Sequence, residues 1–337
     1  MAKLVVPSVG VVIANHNNGL FVGQAIESVA QQTMRNIQVV VVDDASTDDS
    51  DVTIRQTLDR LNDSRFRYVK LESNRGQAGA VRCGLTELTT PFVCFLDSDD
   101  LWYEDFVACH LAVHLNADFP VSLTYCDSHI VDASGQMLAG TAWWFESELK
   151  EPSHRPINSS LIPKINPTTG EVDFAPQHTA TLHACWRSEW SSNSMAGMMF
   201  RKSFIDLILV PPDDALRLYL DFYLSTFAAL LTGTIAIDSA YYAYRMHGNN
   251  KHSDGVVLGG RYNPSKKQWE PIRDSILRQV YAVMQSEASA LRDAFGVHRH
   301  EAAVKQVRTA LKSGHADHTK WHGSKLHELF RRLRSFS

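Results

Sequence analysis

Phe92-Val93-Cys94-Phe95-Leu96-Asp97-Ser98-Asp99-Asp100-Leu101-Trp102 is the stretch on which the fold turns. Five consecutive apolar residues suit a strand buried on both faces, and the run stops abruptly in carboxylates. The same construction appears earlier in the chain. Ile37 to Val42 is an apolar run ending in Asp43-Asp44, and the β-branched run Val9 to Ile13 ends in the polar loop Asn15-His16-Asn17-Asn18-Gly19. Helical spacing follows each strand: Val22, Ile26 and Val29 after the first, and Ile54, Leu58 and Leu61 after the second. Phe66 to Leu71 reads as a third strand, with Ala78, Val81, Leu85 and Leu88 marking the next helix. A helix over about 103–115 and a fifth strand over Val121 to Cys126 close the series. Apolar strands alternating with amphipathic helices predict an α/β fold with a mainly parallel central sheet, and such sheets bind ligands at the carboxyl ends of their strands. All three polar loops fall at that edge.

Periodicity fades over 132–195, where Trp143, Trp144, Trp186 and Trp190 are scattered among prolines and polar residues. A long irregular segment rich in tryptophan reads as functional loops rather than disorder, and its part from about Trp143 to Trp190 is a candidate ligand-binding region, the acceptor region under the family resemblance given below. Order returns at Met198 to Phe200 and Arg201 to Ile208, then a helix over about 214–231 and a strand over Thr234 to Ile237. Residues beyond about 264 look helical. The expected organisation is one domain over 1–255, its halves 1–126 and 127–255, followed by a helical extension over 256–337. That extension ends in a basic amphipathic tail, Lys320 to Phe336, which suits a membrane-surface helix as well as docking on its own domain or on a second subunit.

The 337 residues carry a formal net charge of -4, which gives no overall attraction to phosphate backbones, so nucleic acid is not expected as a partner. Five cysteines without a C-x-x-C pair, and no signal sequence or membrane-spanning run, point to a reducing, cytoplasmic setting. Peripheral contact with the inner face of a membrane remains open through the tail.

Carboxylates at a strand end, as in Asp97 to Asp100, are the hard oxygen ligands that Mg²⁺ or Mn²⁺ requires. An isolated acidic tetrad is ordinarily a solvated turn capping the next helix. Asp44, immediately past a wholly apolar strand, is placed to accept a hydrogen bond from a base edge. Asp48, Asp49 and Asp51 read as helix-capping residues.

Five ordered segments together resemble the family 2 glycosyltransferases of the GT-A fold. They are Val11 to Asn17, Ala25 to Thr33, Val41 to Asp49, Asn74-Arg75-Gly76-Gln77 and Phe95 to Trp102. The resemblance implies a Rossmann-like GT-A sandwich and a donor site formed by Ala14, His16, Asn17, Asp44, Asn74, Gly76, Arg82, Asp97, Ser98, Asp99 and His247. It implies that Asp44 reads a pyrimidine edge, that Asp97 and Asp99 form a DxD motif, and that Asp99, with Asp97 and His247, holds Mn²⁺ or Mg²⁺ against the diphosphate. Ala14 and His16 depart from the family's usual Thr or Ser and Tyr. Arg82 or Arg75 could pair with the diphosphate. Leu220-Asp221-Phe222-Tyr223-Leu224 is the nearest match to the family's acidic catalytic pair, so Asp221 is the expected base, with Asp213 and Asp214 as rivals. Tyr244-Arg245-Met246-His247-Gly248-Asn249-Asn250 resembles the segment that closes the active site. The implied activity is inverting transfer of a sugar from a nucleoside diphosphate sugar, UDP or dTDP favoured, to a glycan or lipid-linked glycan hydroxyl in bacterial surface polysaccharide or glycan synthesis. A catalytically inactive nucleotide-sugar-binding homologue is the alternative. A dinucleotide-dependent oxidoreductase is disfavoured because no G-x-G-x-x-G follows the first strand.

Overall fold

Strand β1 (Val9–Asn15) is buried along nearly its whole length, as its unbroken apolar run requires. It pairs in parallel with β2 (Ile37–Asp43) on one side and β4 (Phe92–Asp97) on the other, and β3 (Phe66–Lys70) extends the sheet beyond β2. Helices α1 (Val22–Ala30), α2 (Ser50–Leu61) and α3 (Gly76–Thr86) make the crossovers. Register is what builds the site: Asn15 lies beside Asp43, and Ala14 beside Asp97. Three loops that are far apart in sequence therefore leave the sheet side by side. Helix α3 lies close against β1 because Gly84 has no side chain; a Cβ there would stand 2.5 Å from Val12 Cγ1.

The computed structural model describes residues 5–117, 120–140, 154–157, 164–165, 172–173, 180–184, 186, 194–209, 211, 216–248, 250 and 269–313. It divides into two units, Met1–Lys266 and Lys267–Ser337. In the first, β5 (Leu101–Trp102) and α4 (Phe106–Asn116) follow β4. Next come β6 (Leu123–Asp132), β7 (Met137–Ala139), β8 (His154–Ile157), β9 (Lys164–Ile165), β10 (Val172–Asp173) and β11 (Ala180–His183). The unit ends with β12 (Met198–Arg201), α5 (Lys202–Ile208), α6 (Leu220–Leu231) and β13 (Thr234–Met246). The large sheet has the order β3-β2-β1-β4-β12-β6-β13-β11-β8.

Three expectations change. The strand expected over Val121 to Cys126 runs on to Asp132, and β12 is inserted antiparallel between it and β4, beside the parallel β3-β2-β1-β4 half that was expected. The strand expected over Thr234 to Ile237 continues to Met246 through two register shifts between Ile237 and Tyr242. The exposed, polar Asp238 at that irregularity broke the apolar run and hid the continuation. The helix expected from about 214 begins at Leu220. Within 132–195 the described residues hold short strands; Trp143, Trp144 and Trp190 lie outside the described residues, as does the basic tail.

The second unit contains α7 (Trp269–Ser286), α8 (Ala288–Phe295) and α9 (Val297–Ser313). Buried Leu277, Val280 and Met284 on α7 and Ala303, Val307 and Ala310 on α9 recur at helical spacing, and His300 on α9 hydrogen-bonds the Met284 carbonyl at 2.8 Å. No helix among the described residues is long and apolar enough to cross a membrane.

Helix α4 carries an acid-sensitive feature. His110 and His114 are buried, with His110 Nδ1 2.8 Å from Thr124 Oγ1 and His114 Nε2–H donating to the Met199 carbonyl at 3.2 Å. The second ring nitrogen of each lacks a hydrogen-bond partner, so both rings are held neutral. Burial drives the His110 pKa well down and that of His114 from 6.5 to about 3. The folded pKa is depressed, so the stabilising difference is intact above 6.5 and is lost as pH falls from there towards 3, because the unfolded chain takes up the protons first. His114 is expected to remove about 2 kcal/mol between pH 7 and pH 5, and His110 acts in the same direction. Urea midpoints measured across that window check this, and a flat profile would contradict it.

Candidate functional site

The loops after β1, β2 and β4 are tied to one another by side chains. Asn15, buried at the end of β1, donates from Nδ2 to Asp43 Oδ1 at 3.0 Å, and Ser46 also hydrogen-bonds that oxygen. Asn17 adopts a left-handed conformation, with φ of 57°, that asparagine tolerates. Its amide donates to Ser46 Oγ at 2.9 Å and its Oδ1 accepts from the Thr47 amide at 2.8 Å. Asn18 Nδ2 donates to Ser98 Oγ at 3.0 Å, which joins the first loop to the acidic one. A carbonyl can only accept, so the 2.8 Å contact of His16 Nδ1 with the Asp44 carbonyl places the ring proton on Nδ1. His16 Nε2 then accepts from Asn17 Nδ2 at 3.3 Å.

Asp44 is nearly buried, and its carboxylate receives the amides at the start of α3: Arg75 N to Oδ1 at 2.7 Å and Gly76 N to Oδ2 at 2.8 Å. It thus caps that helix, neutralising amides at the positive end of its dipole. Each oxygen retains a further lone pair for a ligand. A cleft of about 470 Å³, lined by Ala45, Ser46, Lys70, Leu71 and Glu72, opens beside it. That volume lies within the usual range of small-molecule sites.

Gly76 has φ of +74°, and a Cβ there would meet Arg217 Cα at 3.0 Å. Left-handed backbone and close approach both demand glycine. Gly76→Ala is expected to cost about 1–2 kcal/mol. A fall in the urea midpoint measures it, and no fall would mean the turn relaxes freely. Arg217 itself packs over this turn, its carbonyl accepting from Gln77 N at 3.1 Å and its guanidinium hydrogen-bonding Asn74 Oδ1. Asn74 Nδ2 also reaches the Asp44 carbonyl at 3.5 Å.

At the acidic loop, Asp97 Oδ1 accepts from Gln77 Nε2 at 3.3 Å, and Asp99 Oδ2 lies 3.0 Å from His247 Nε2. The Asp99 side chain is 22% exposed and that of His247 only 6%. His247 packs on Phe21, with centroids 4.9 Å apart. Asp100 points inward, its Oδ1 accepting from the Arg245 amide at 2.9 Å. His247 reaches Asp99 because the far half of β13 is pinned to β5, directly after the acidic loop, through Tyr242–Trp102 and Ala243–Leu101 pairing.

Among the described residues no group of three or more His, Cys, Asp or Glu side chains could hold a metal ion by itself. Asp99 and His247 are adjacent, with Asp97 on the same loop, so an ion here would have to be completed by ligand oxygens and water. Such incomplete carboxylate sites are how Mg²⁺-type ions are held against phosphates. The donor chemistry therefore fits.

The site brings together His16, Asn17, Asp44, Asn74 and Gly76 on one side and Ser98, Asp99 and His247 on the other, with Asp97 linked to the first group through Gln77 and Ala14 beside Asp97 in the sheet. Arg82 has other partners: it donates to the Leu209 carbonyl at 2.7 Å and to the Pro211 carbonyl, so it ties α3 to the segment after α5 instead of presenting a diphosphate contact. Arg75 is exposed at the α3 start. Asp221 sits in the first turn of α6, accepting from the Phe222 amide at 2.8 Å, four residues past Arg217. Asp213 and Asp214 lie outside the described residues. Gln77, Arg217, Phe21 and Arg245 were not singled out as site residues; only the Asn74 to Gln77 and Tyr244 to Asn250 segments carried a signal for any of them.

Residues 10–148 match the family described as Glycosyl transferase family 2. An uncharacterized glycosyltransferase of Nostoc sp. is 26% identical over 247 residues, 72% of this chain and 66% of that protein. The Escherichia coli UDP-Glc:alpha-D-GlcNAc-diphosphoundecaprenol beta-1,3-glucosyltransferase WfaP is 36% identical over 94 residues, 28% of this chain and 36% of that one. The chain spans between 18% and 66% of the length of the first three curated relatives it matches. Among solved structures, S. aureus TarS 1-349 in complex with UDP-GlcNAc superposes with a TM-score of 0.55 at 14% identity, covering 94% of this chain and 74% of that one. This is a likeness of fold.

Proposed function

We propose that this chain, whose residues 10–148 match the glycosyl transferase family 2 model, transfers a sugar from a nucleoside diphosphate donor to an acceptor hydroxyl, with inversion at the anomeric carbon. The observation that carries this reading is the convergence of a base-side carboxylate, Asp44, and an acidic Asp99–His247 pair on one edge of the sheet. The cleft beside Asp44 takes the nucleoside base, and Asp44 accepts from a pyrimidine N–H through its remaining lone pairs. UDP and dTDP are the donors favoured. Asp97, Asp99 and His247 would hold Mn²⁺ or Mg²⁺, which would supply charge neutralisation to the leaving diphosphate. His16, Asn17, Asn74 and Gly76 keep the nucleotide loops in register. Asp221 takes the acceptor proton. The acceptor is a glycan or lipid-linked glycan, in keeping with the diphosphoundecaprenol-linked acceptor in the name of the E. coli relative. The setting is the synthesis of a bacterial surface glycan at the cytoplasmic face. Retention of carboxylates at Asp97, Asp99 and Asp221 argues against an inactive homologue.

A thermal-shift screen of UDP, dTDP, GDP and CMP, each with and without Mn²⁺, tests the reading. A ligand bound only by the native state raises its stability with affinity, by about 2.7 kcal/mol at a hundredfold excess over Kd. UDP or dTDP with Mn²⁺ is expected to give the largest shift. Equal shifts with and without metal would remove the metal role, and no shift with any nucleotide would remove the donor site.

A further inference from the structure

We propose that Arg245 is the positioning residue of the donor site: it holds the Asp99-Asp100 turn from behind, so that the Asp99 carboxylate meets His247 in the geometry an incoming metal–diphosphate requires. The inference rests on the reading that Asp99 and His247 hold the donor-bound ion.

Arg245 is 1% exposed and among the largest fully buried side chains in the described chain. Burial lowers its pKa from the ordinary arginine value, while the carboxylates of Asp100, Asp99 and Asp132 oppose that shift. A buried guanidinium is tolerated only when its donors are matched, and here they are spread over three separate segments. Nε donates to the Asp99 carbonyl at 2.8 Å, Nη1 to the Ala133 carbonyl at 2.9 Å, and Nη2 to Gln24 Oε1 on α1 at 2.7 Å. The Arg245 backbone amide takes the neighbouring carboxylate, Asp100 Oδ1. One residue thus grips Asp99 by its main chain and Asp100 by its side chain.

Two residues further along, His247 meets the carboxylate of the same Asp99. Phe21 links the two contacts: the Arg245 guanidinium lies 4.8 Å from its ring centroid, and the His247 ring packs on it at 4.9 Å. The end of β13 therefore sets both ends of Asp99, carbonyl and carboxylate, from one short stretch of backbone. A purely structural arginine could satisfy its donors anywhere in the core. This one spends its Nε on the main chain of the expected ligand. Lysine would keep the charge but offer no planar fork to span three acceptors, so Arg245→Lys separates orientation from charge.

The test uses the full chain, with Mn²⁺ and UDP as probes and the free Mn²⁺ signal in electron paramagnetic resonance as the readout. Outer-shell partners of a metal ligand are worth about 10–100-fold in affinity. Arg245→Lys is expected to weaken Mn²⁺ binding in the presence of UDP by at least about tenfold, and Gln24→Met, on the exposed side of α1, by about threefold, with metal-free UDP binding unchanged in both. A folded Arg245→Lys that binds Mn²⁺ as tightly as the wild type overturns the proposal, even if its thermal midpoint has fallen. Should that variant not fold, Gln24→Met decides, and an unchanged Mn²⁺ affinity there overturns it. A wild-type protein that binds no Mn²⁺ in the presence of UDP would instead remove the metal reading, and this inference with it.

Discussion

Asp99→Ala is expected to abolish metal-dependent binding of the donor and to lower sugar transfer by about a thousandfold, equivalent to ~4 kcal/mol of transition-state stabilisation. The substitution takes away a mostly buried carboxylate and leaves His247 without its 3.0 Å partner. The Asp99 carboxylate also offsets part of the cost of burying the Arg245 charge, but the turn itself is held through the Asp99 carbonyl and through Asp100, both untouched. Thermal stability without ligand should therefore stay near that of the wild type, and metal-free nucleotide affinity, assigned in the proposed function to Asp44 and the cleft beside it, should persist. Isothermal titration with UDP, with and without Mn²⁺, reads the two affinities, and a ligand-free thermal melt reads the stability. Wild-type transfer by a folded Asp99→Ala would defeat the assignment of this residue to the metal.

Asp221→Asn is expected to keep donor affinity while turnover falls by about 10²–10⁴-fold, the usual worth of a general base. Asparagine preserves the size of the side chain and an oxygen able to accept from the Phe222 amide, so the first turn of α6 is retained. It removes the ability to take a proton. The loss should appear in kcat and kcat/KM alike, the pattern of an interaction made in the transition state. A mild effect would shift the role to Asp213 or Asp214, whose Asn variants make the direct comparison. Arg217 strengthens the case for the α6 start, since its contacts with Asn74, Gly76 and Gln77 bring this part of the chain to the α3 end of the site.

The alternation of strand and helix over the first ~115 residues was readable because it is written in local periodicity: each apolar run and each i, i+3, i+4 face is complete within a dozen residues. For the same reason the strand-end positions of Asp43, Asp44 and Asp97 to Asp100 followed from the sequence, and the five-segment resemblance pointed to the family whose model matches residues 10–148. The second half of the first unit was harder to read. The register shifts of β13 interrupt its pattern, and the antiparallel insertion of β12 between β4 and β6 leaves no trace in either strand's composition.

The chemistry behind the acidic loop was hidden for a related reason. Arg82 looked like a phosphate ligand on a helix, yet the carbonyls it serves lie 127 and 129 residues away. Arg245 reaches Asp99 across 146 residues and Gln24 across 221. Periodicity reports which face of an element is buried, whereas the partner that a buried charge requires is set by how distant elements pack. The sequence by itself thus determined the parallel nucleotide-side sheet and which carboxylates stand at its edge. Only tertiary packing decided that Asp44 caps α3, that His247 faces Asp99, and that a buried arginine holds the turn between them, because each depends on contacts between segments whose local patterns are blind to one another.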